Sequence, residues 1–366
     1  MRDTTFVLQK ICKQIALSDT AKETVVREYK ALGELITNSD RITSDVDVKP
    51  QGSYNLGTAI KPLNGSDDDF DIDLVAVIHG SLNAAETKHS VGDVLKSSGL
   101  YAKKLLPEKN RAWTIKYQDS HVDVVPGVDG QQSDIMITNR IDKNTYRYRQ
   151  SSPFEFKTWF MQKGQDIYQN STFSKGYVRA EVEAPEEYKE YTILQEVVQL
   201  LKYHRNKMFE KRDDKLKPIS MIVTILAAKA YTGQDDLSDA LVSVVNGLRK
   251  QIEYDLNENP HIFNPTNNSE DFTDKWQDHP ERKDAFFEWL RSVESDLGTT
   301  NQTEIMQWHE RLSSIYGANR VQNAFEALGE RQSEVQRQGR VSLNSNGVFE
   351  GDTSEKKVRP HTYWGD

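Results

Sequence analysis

The run Asp69-Phe70-Asp71-Ile72-Asp73-Leu74, continued by Val75-Ala76-Val77-Ile78, constrains this chain more than any other stretch. Its acids and apolar residues alternate with a period of two, the period of a β-strand. On that strand Asp71 and Asp73 project from one face, about 7 Å apart. Two carboxylates so placed repel each other and resist joint burial unless a cation lies between them. Hard oxygen donors favour Mg²⁺ or Mn²⁺ over zinc. Asp123, isolated between Val122 and Val124 on a later strand, is a candidate third carboxylate for the same face. Three acids from two neighbouring strands are what two-metal phosphoryl or nucleotidyl transfer requires.

Alone, Asp-x-Asp is weak. The chain repeats it at Asp45/Asp47, Asp67/Asp69 and Asp69/Asp71, where a solvated strand edge explains it equally well. The preceding segment Gln51-Gly52-Ser53-Tyr54-Asn55 adds what those repeats lack. A glycine lets backbone approach a phosphate closely, and a serine opening a helix offers N–H groups and a hydroxyl.

The rest of the chain divides by periodicity. Leu8, Ile11 and Ile15 have helical spacing, and Thr20-Ala21-Lys22-Glu23 reads as a capping box opening a helix through Val25, Tyr29, Leu32 and Ile36. A short strand is expected around Val46 and Val48, and a helix over 91–105. Trp113-Ile115-Tyr117 and Val122-Val124 are expected to form a hairpin about Gln118-Asp119-Ser120. After about residue 155 helices dominate. Leu194, Val197, Val198 and Leu201 form one stripe, and Pro218 is placed to be a first helical residue before a buried segment, Ile219 to Tyr231. Helices are expected at 236–255, 281–297, 302–316 and 319–335, with a polar loop at 257–280. A Gln-, Asn-, Ser- and Gly-rich tether follows from about 337.

Composition excludes several classes. With 47 Lys and Arg against 56 Asp and Glu, the net charge is −9, which argues against a protein built mainly to coat nucleic acid. The single cysteine, Cys12, excludes a disulfide framework or a multi-cysteine zinc ribbon. Neither a signal-peptide run nor an apolar stretch long enough to cross a bilayer is present, so a cytoplasmic protein without membrane attachment is expected. His121, the patch Lys103-Lys104 with Lys109 and Arg111, and the aromatics Trp276, Phe286, Phe287 and Trp289 read as surface or packing residues.

In order along the chain, Gly52-Ser53, Asp71-Ile72-Asp73 and His121-Val122-Asp123-Val124-Val125-Pro126 resemble the polymerase-beta-like nucleotidyltransferases. More narrowly, they resemble the bacterial relatives of cyclic GMP-AMP synthase, the CD-NTase enzymes of antiphage signalling. The similarity continues through Ser152-Pro153 to Trp159-Phe160, Leu194-Gln195 to His204-Arg205, Lys217-Pro218-Ile219-Ser220 to Thr224, and Asn264-Pro265 to Trp276. It covers most of the chain.

The resemblance implies an α+β fold: a nucleotidyltransferase core with a mixed sheet and amino-terminal bracing helices (1–155), an α-helical lobe (156–336) and a flexible tail (337–366). The active site is then the cleft between core and lobe. Asp71, Asp73 and Asp123 are implied as catalytic ligands of two Mg²⁺ ions, with Mn²⁺ admitted. Gln51, Gly52 and Ser53, faced by Lys202 and Ser220, are implied as triphosphate-binding. The implied activity joins NTPs, ATP and GTP foremost, into a cyclic di- or trinucleotide second messenger read by a downstream effector. A template-independent transferase acting on RNA ends or a protein, and a catalytically silent nucleotide-binding relic, suit the same residues. The animal relative's DNA response uses a zinc-bound thumb that one cysteine cannot build, so no double-stranded DNA activator is expected. The tail from Lys356 to Tyr363-Trp364-Gly365-Asp366 is expected to dock on the chain itself or to engage a regulatory partner.

Overall fold

The computed structural model describes residues 2–63, 70–118, 120–130, 134–164, 182–183, 188, 190–299, 305–338, 341–343 and 349–351. The expectations for the tail from 352 onward lie outside the described residues. Two compact units emerge, one of residues 15–300 and one of residues 1–14 with 301–366, a grouping different from the three-part division drawn from the sequence.

The chain opens with helices α1 (Asp3–Ile15) and α2 (Asp19–Thr37). The cap of α2 is Ser18, whose hydroxyl accepts from the Ala21 N–H, and not the expected box at Thr20. Asp19 and Thr20 instead occupy the first turn, where an acid complements the helix dipole.

Strand β1 (Val46–Gln51) runs directly into a single turn, α3 (Gly52–Asn55), and the alternating acidic run becomes β2 (Phe70–Ile78). Helix α4 (Ala84–Ser97) starts seven residues before the expected 91, because Asn83 and Glu86 form a reciprocal capping box. Strands β3 (Trp113–Lys116) and β4 (Ser120–Asp129) form the expected antiparallel pair. Two strands were not anticipated, β5 (Ile135–Arg140) and β6 (Tyr146–Ser151).

The sheet is mixed, in order β1-β2-β4-β5-β6, with β3 also on β4. β1 is antiparallel to β2, while β2 and β4 are parallel, with Asp73 beside Asp123. Alternation then assigns the faces. Ile72, Leu74, Ala76 and Ile78 of β2 and Val122 and Val124 of β4 join Val25, Tyr29 and Leu32 of α2 and Val91 and Leu95 of α4 in the main core. The odd-numbered positions face the other way, where Val75 and Val77 pack with Ile135, Ile137 and Val125. Asp71, Asp73 and Asp123 share this second face.

Helices α5 (Pro153–Gly164), α6 (Ile193–Phe209), α7 (Ser220–Ala230) and α8 (Leu237–Gly247) follow. Pro218 lies just outside α7. Ile219 is extended at φ −65° and ψ 148°, and the Arg205 guanidinium donates to the Pro218 carbonyl and the Ser220 hydroxyl, which holds that entry open. The expected polar loop at 257–280 contains short strands: β8 (Pro260–His261) pairs with β7 (Glu253–Tyr254), which takes the end of the helix expected at 236–255, and β9 (Phe263–Asn264) pairs with β10 (Asn267–Asp271). Helix α9 (Pro280–Leu297) ends this unit, its Phe286 packed against both Trp276 and Trp289, as read from the sequence.

In the other unit, α10 (Ile305–Tyr316) and α11 (Ala318–Arg337) return to α1: Gln14 donates to the Arg320 carbonyl and Gln332 to Asp3. Within the expected tether, β11 (Val341–Leu343) pairs antiparallel with β12 (Phe349–Gly351). Among the described residues, no helix is long and apolar enough to cross a membrane.

Candidate active site

The site begins with register. Asp73 and Asp123 are cross-strand neighbours on β2 and β4, about 4.8 Å apart along the hydrogen-bonding direction, and Asp71 stands two residues along the same face. Gln51, the last residue of β1, pairs with Asp73 from the other side. Gly52 follows with φ +74°, the left-handed region that glycine enters without strain. A Cβ there would fall 1.9 Å from the Asp73 carboxylate, so the turn and the acid are pressed together.

That crowding has an electrostatic consequence. Asp73 is half-buried in the site, and its pKa is raised to about 7, by burial first and then by the charges of Asp123 and Asp71. Lys109 and Lys202 oppose the rise without cancelling it. The lysine at 109, read from the sequence as part of a solvated patch, donates to both oxygens of Asp123 at 3.1 Å. Thr114, opposite Asp123 on β3, adds a hydroxyl donor.

Among the described residues no three metal-ligating side chains are gathered closely enough to chelate an ion as they stand. The donor set nevertheless suits a hard divalent cation: three carboxylates, one held toward its protonated form by burial and its neighbours' charge, and one already engaged by a cation, Lys109. A bound ion would relieve the repulsion that burial leaves standing.

The turn after Gly52 is held from the helical side. Three polar side chains of α6, at i, i+4 and i+7, reach three successive carbonyls: Gln195 to Leu56 at 2.9 Å, Gln199 to Gly57 at 3.1 Å, and Lys202 to Thr58 at 3.1 Å. Lys202 also donates to the Thr58 hydroxyl at 2.8 Å, and the Thr58 N–H donates to the Ser53 carbonyl at 2.9 Å. Asn55 is gripped as well, by Lys157 on its side chain and by the Tyr188 hydroxyl on its carbonyl. Lys202 is buried, and burial together with Arg205 lowers its pKa to about 7, with Asp73 opposing.

The sequence-derived residues therefore sort by place. Asp71, Asp73 and Asp123 share one face with Gln51 and Gly52 at its edge. Lys202 reaches that group through Thr58. Ser220, at the start of α7, is joined to Arg205 and not to the carboxylates. Lys109, Thr114, Gln195 and Gln199 were missed. The signal for the two glutamines was present, a polar row on a helix whose remaining stripe is apolar.

Between the sheet face and the helical lobe lies a cleft of about 330 Å³, large enough for a nucleotide. Gln51, Gly52, Asp73 and Val125 form its sheet wall, faced by Phe156 and Met221 of the helices and Phe272 of the later segment.

A mixed sheet carrying three carboxylates beside a glycine turn, faced by helices across a cleft, is the architecture of a nucleotidyltransferase. Residues 3–164 match the Second Messenger Oligonucleotide or Dinucleotide Synthetase domain. Over 98% of its length the chain is 26% identical to a c-di-GMP synthase of Roseivirga ehrenbergii, covering 96% of that protein. Its fold is similar to that of the CD-NTase CdnG of Bradyrhizobium diazoefficiens, solved in complex with GTP, at a TM-score of 0.70 and 19% identity, over 88% of this chain and 97% of the other. A second similar fold is CdnC of E. coli MS115-1, in a complex with HORMA-deltaN, at a TM-score of 0.55 and 14% identity, over 86% and 96% of the two chains. Residues 3–164 thus carry a second-messenger synthetase domain, and the chain is a nucleotidyltransferase.

Proposed function

We propose that this enzyme joins NTPs into a cyclic oligonucleotide second messenger by metal-dependent nucleotidyl transfer with release of pyrophosphate. The observation that carries the reading is the register of Asp73 against Asp123, with Asp71 on the same face of the sheet, beside a nucleotide-sized cleft that Asp73 lines. The end-to-end likeness to a c-di-GMP synthase supports the cyclic product, and the GTP in the CdnG structure supports an NTP substrate.

Asp71, Asp73 and Asp123 would hold Mg²⁺ or Mn²⁺, which would neutralise the charge developing on the attacking and leaving oxygens. The chain supplies the rest. Gln51, Gly52 and Ser53 present the turn on which the donor triphosphate rests, and the α6 row keeps that turn from moving. Lys202 and Ser220 contribute from the helical side. Asp123, released from Lys109, accepts the proton of the attacking ribose hydroxyl. Positioning in a closed cleft supplies much of the remaining acceleration.

Chromatography of products from labelled NTPs tests this. Phosphatase-resistant small species are expected, and the Asp71→Asn/Asp73→Asn double variant, folded by circular dichroism, should lose about 100-fold or more of that activity. High-mass label would identify a polymerase instead, and undiminished synthesis by the variant would remove this site from consideration.

A further inference from the structure

Lys109 straddles Asp123. Its ammonium donates to both carboxylate oxygens at 3.1 Å, and the Thr114 hydroxyl donates to one of them as well. The segment that delivers Lys109 is tied down residue by residue. Glu108 accepts from the Arg140 guanidinium at 2.9 Å and from the Tyr146 hydroxyl at 3.0 Å. The Asn110 carbonyl accepts from the Arg140 N–H at 2.8 Å, and the Leu106 N–H donates to the Thr114 carbonyl at 2.9 Å.

The Lys109 carbonyl itself accepts from the Lys88 ammonium at 3.1 Å. Lys88 is fully buried in α4 beside the Trp113 ring, and its own carbonyl accepts from the Trp113 indole N–H at 2.9 Å. Taking an ammonium out of water is costly, and here that ammonium holds a single backbone carbonyl. The anchorage fixes where the Lys109 side chain begins. Its ammonium stays half-exposed at the end of a flexible four-carbon stem, free to leave Asp123 without disturbing the backbone.

An ammonium astride both oxygens covers the open edge of a carboxylate. A divalent ion drawn to the same oxygens would meet a second positive charge at close range, in a cleft where water screens poorly. The two cations therefore exclude each other at Asp123. Lys109 also does part of an ion's work, since it opposes the rise that burial and the neighbouring acids impose on Asp73.

We propose that Lys109 is an internal competitor for the metal at Asp123: the ammonium and a divalent ion hold this carboxylate in turn, and Asp123 becomes a ligand only once Lys109 has swung away. Lys109 is thus a positioning residue that acts through Asp123. The inference rests on the reading of Asp123 as a metal ligand, and it gives the braced segment before β3 a role in the site.

Direct binding of Mn²⁺ to the full chain, with no nucleotide present, tests it, free Mn²⁺ being read by electron paramagnetic resonance. The titrations are run at pH 8, above the value of about 7 to which Asp73 is raised. Lys109→Met keeps the stem and removes the charge, and is expected to bind Mn²⁺ about tenfold more tightly than the wild-type chain. Lys109→Arg, which restores a cation, should return the affinity toward the wild-type value. In an Asp123→Asn background the gain from Lys109→Met should vanish, because the competition passes through that carboxylate. A lysine with a merely structural role would give unchanged or weaker binding. Unchanged or weakened Mn²⁺ binding by Lys109→Met, or a gain that persists without the Asp123 carboxylate, overturns the proposal and leaves the metal site standing. If neither the wild-type chain nor Lys109→Met binds Mn²⁺, the metal-dependent reading falls and this inference falls with it.

Discussion

Gly52 has room for a hydrogen and nothing more. An added Cβ would meet the Asp73 carboxylate at 1.9 Å and would also have to hold φ +74°. Gly52→Ala is therefore expected to cost about 1–3 kcal/mol of stability through strain, and to displace Asp73 from Asp123. Activity should suffer more than stability, by about 100-fold in pyrophosphate release against a shift of a few degrees in thermal unfolding. Normal turnover by the folded variant would mean that Gly52 does not set the position of Asp73. The two aspartates and Asp123 were readable in the sequence because alternation along a strand assigns a face before any partner is known. Lys109 was not, because its reach to Asp123 depends on how the segment before β3 is laid against β4. Nothing in a cluster of lysines distinguishes one that meets solvent from one that meets a carboxylate.

Among the elements, α6 ties the helical side to the glycine turn. Its apolar stripe was legible, since Leu194, Val197, Val198 and Leu201 are all fully buried. What spacing did not reveal is that the polar row is buried too, its amides and ammonium spent on the carbonyls of Leu56, Gly57 and Thr58. Gln199→Ala is expected to leave the Gly57 carbonyl without its donor, at a cost of about 1–3 kcal/mol. With the turn loosened, KM for the NTP should rise more than kcat falls. A stability loss with unchanged KM would confine the row to a structural role. The strands β5 and β6 were missed for a related reason. Tyr146-Arg147-Tyr148-Arg149 alternates, but with arginines, and its place in the sheet comes from pairing with β5 residue by residue from Ile135–Ser151 to Arg140–Tyr146. Such strands are specified by tertiary partners more than by their own composition. The early start of α4 and the late start of α7 have the same origin, a capping box in one and the Arg205 guanidinium in the other.

At the scale of the whole molecule, charge decides what the enzyme answers to. A net charge of −9 sets a repulsive field for any duplex, and lasting DNA affinity needs several lysines or arginines spread along an exposed path to displace condensed counterions. Six basic side chains line a cavity of about 220 Å³ beside the cleft, a space far too small for a double helix. Zinc offers no alternative route to a DNA-binding projection, because the one cysteine, Cys12, is buried in α1. Double-stranded DNA is accordingly expected to leave the rate of pyrophosphate release unchanged, within about twofold, even at low salt where electrostatic attraction is strongest. Salt makes the test sharp. A stimulation that grew with duplex length and vanished as salt rose would reveal a basic track that the net charge conceals.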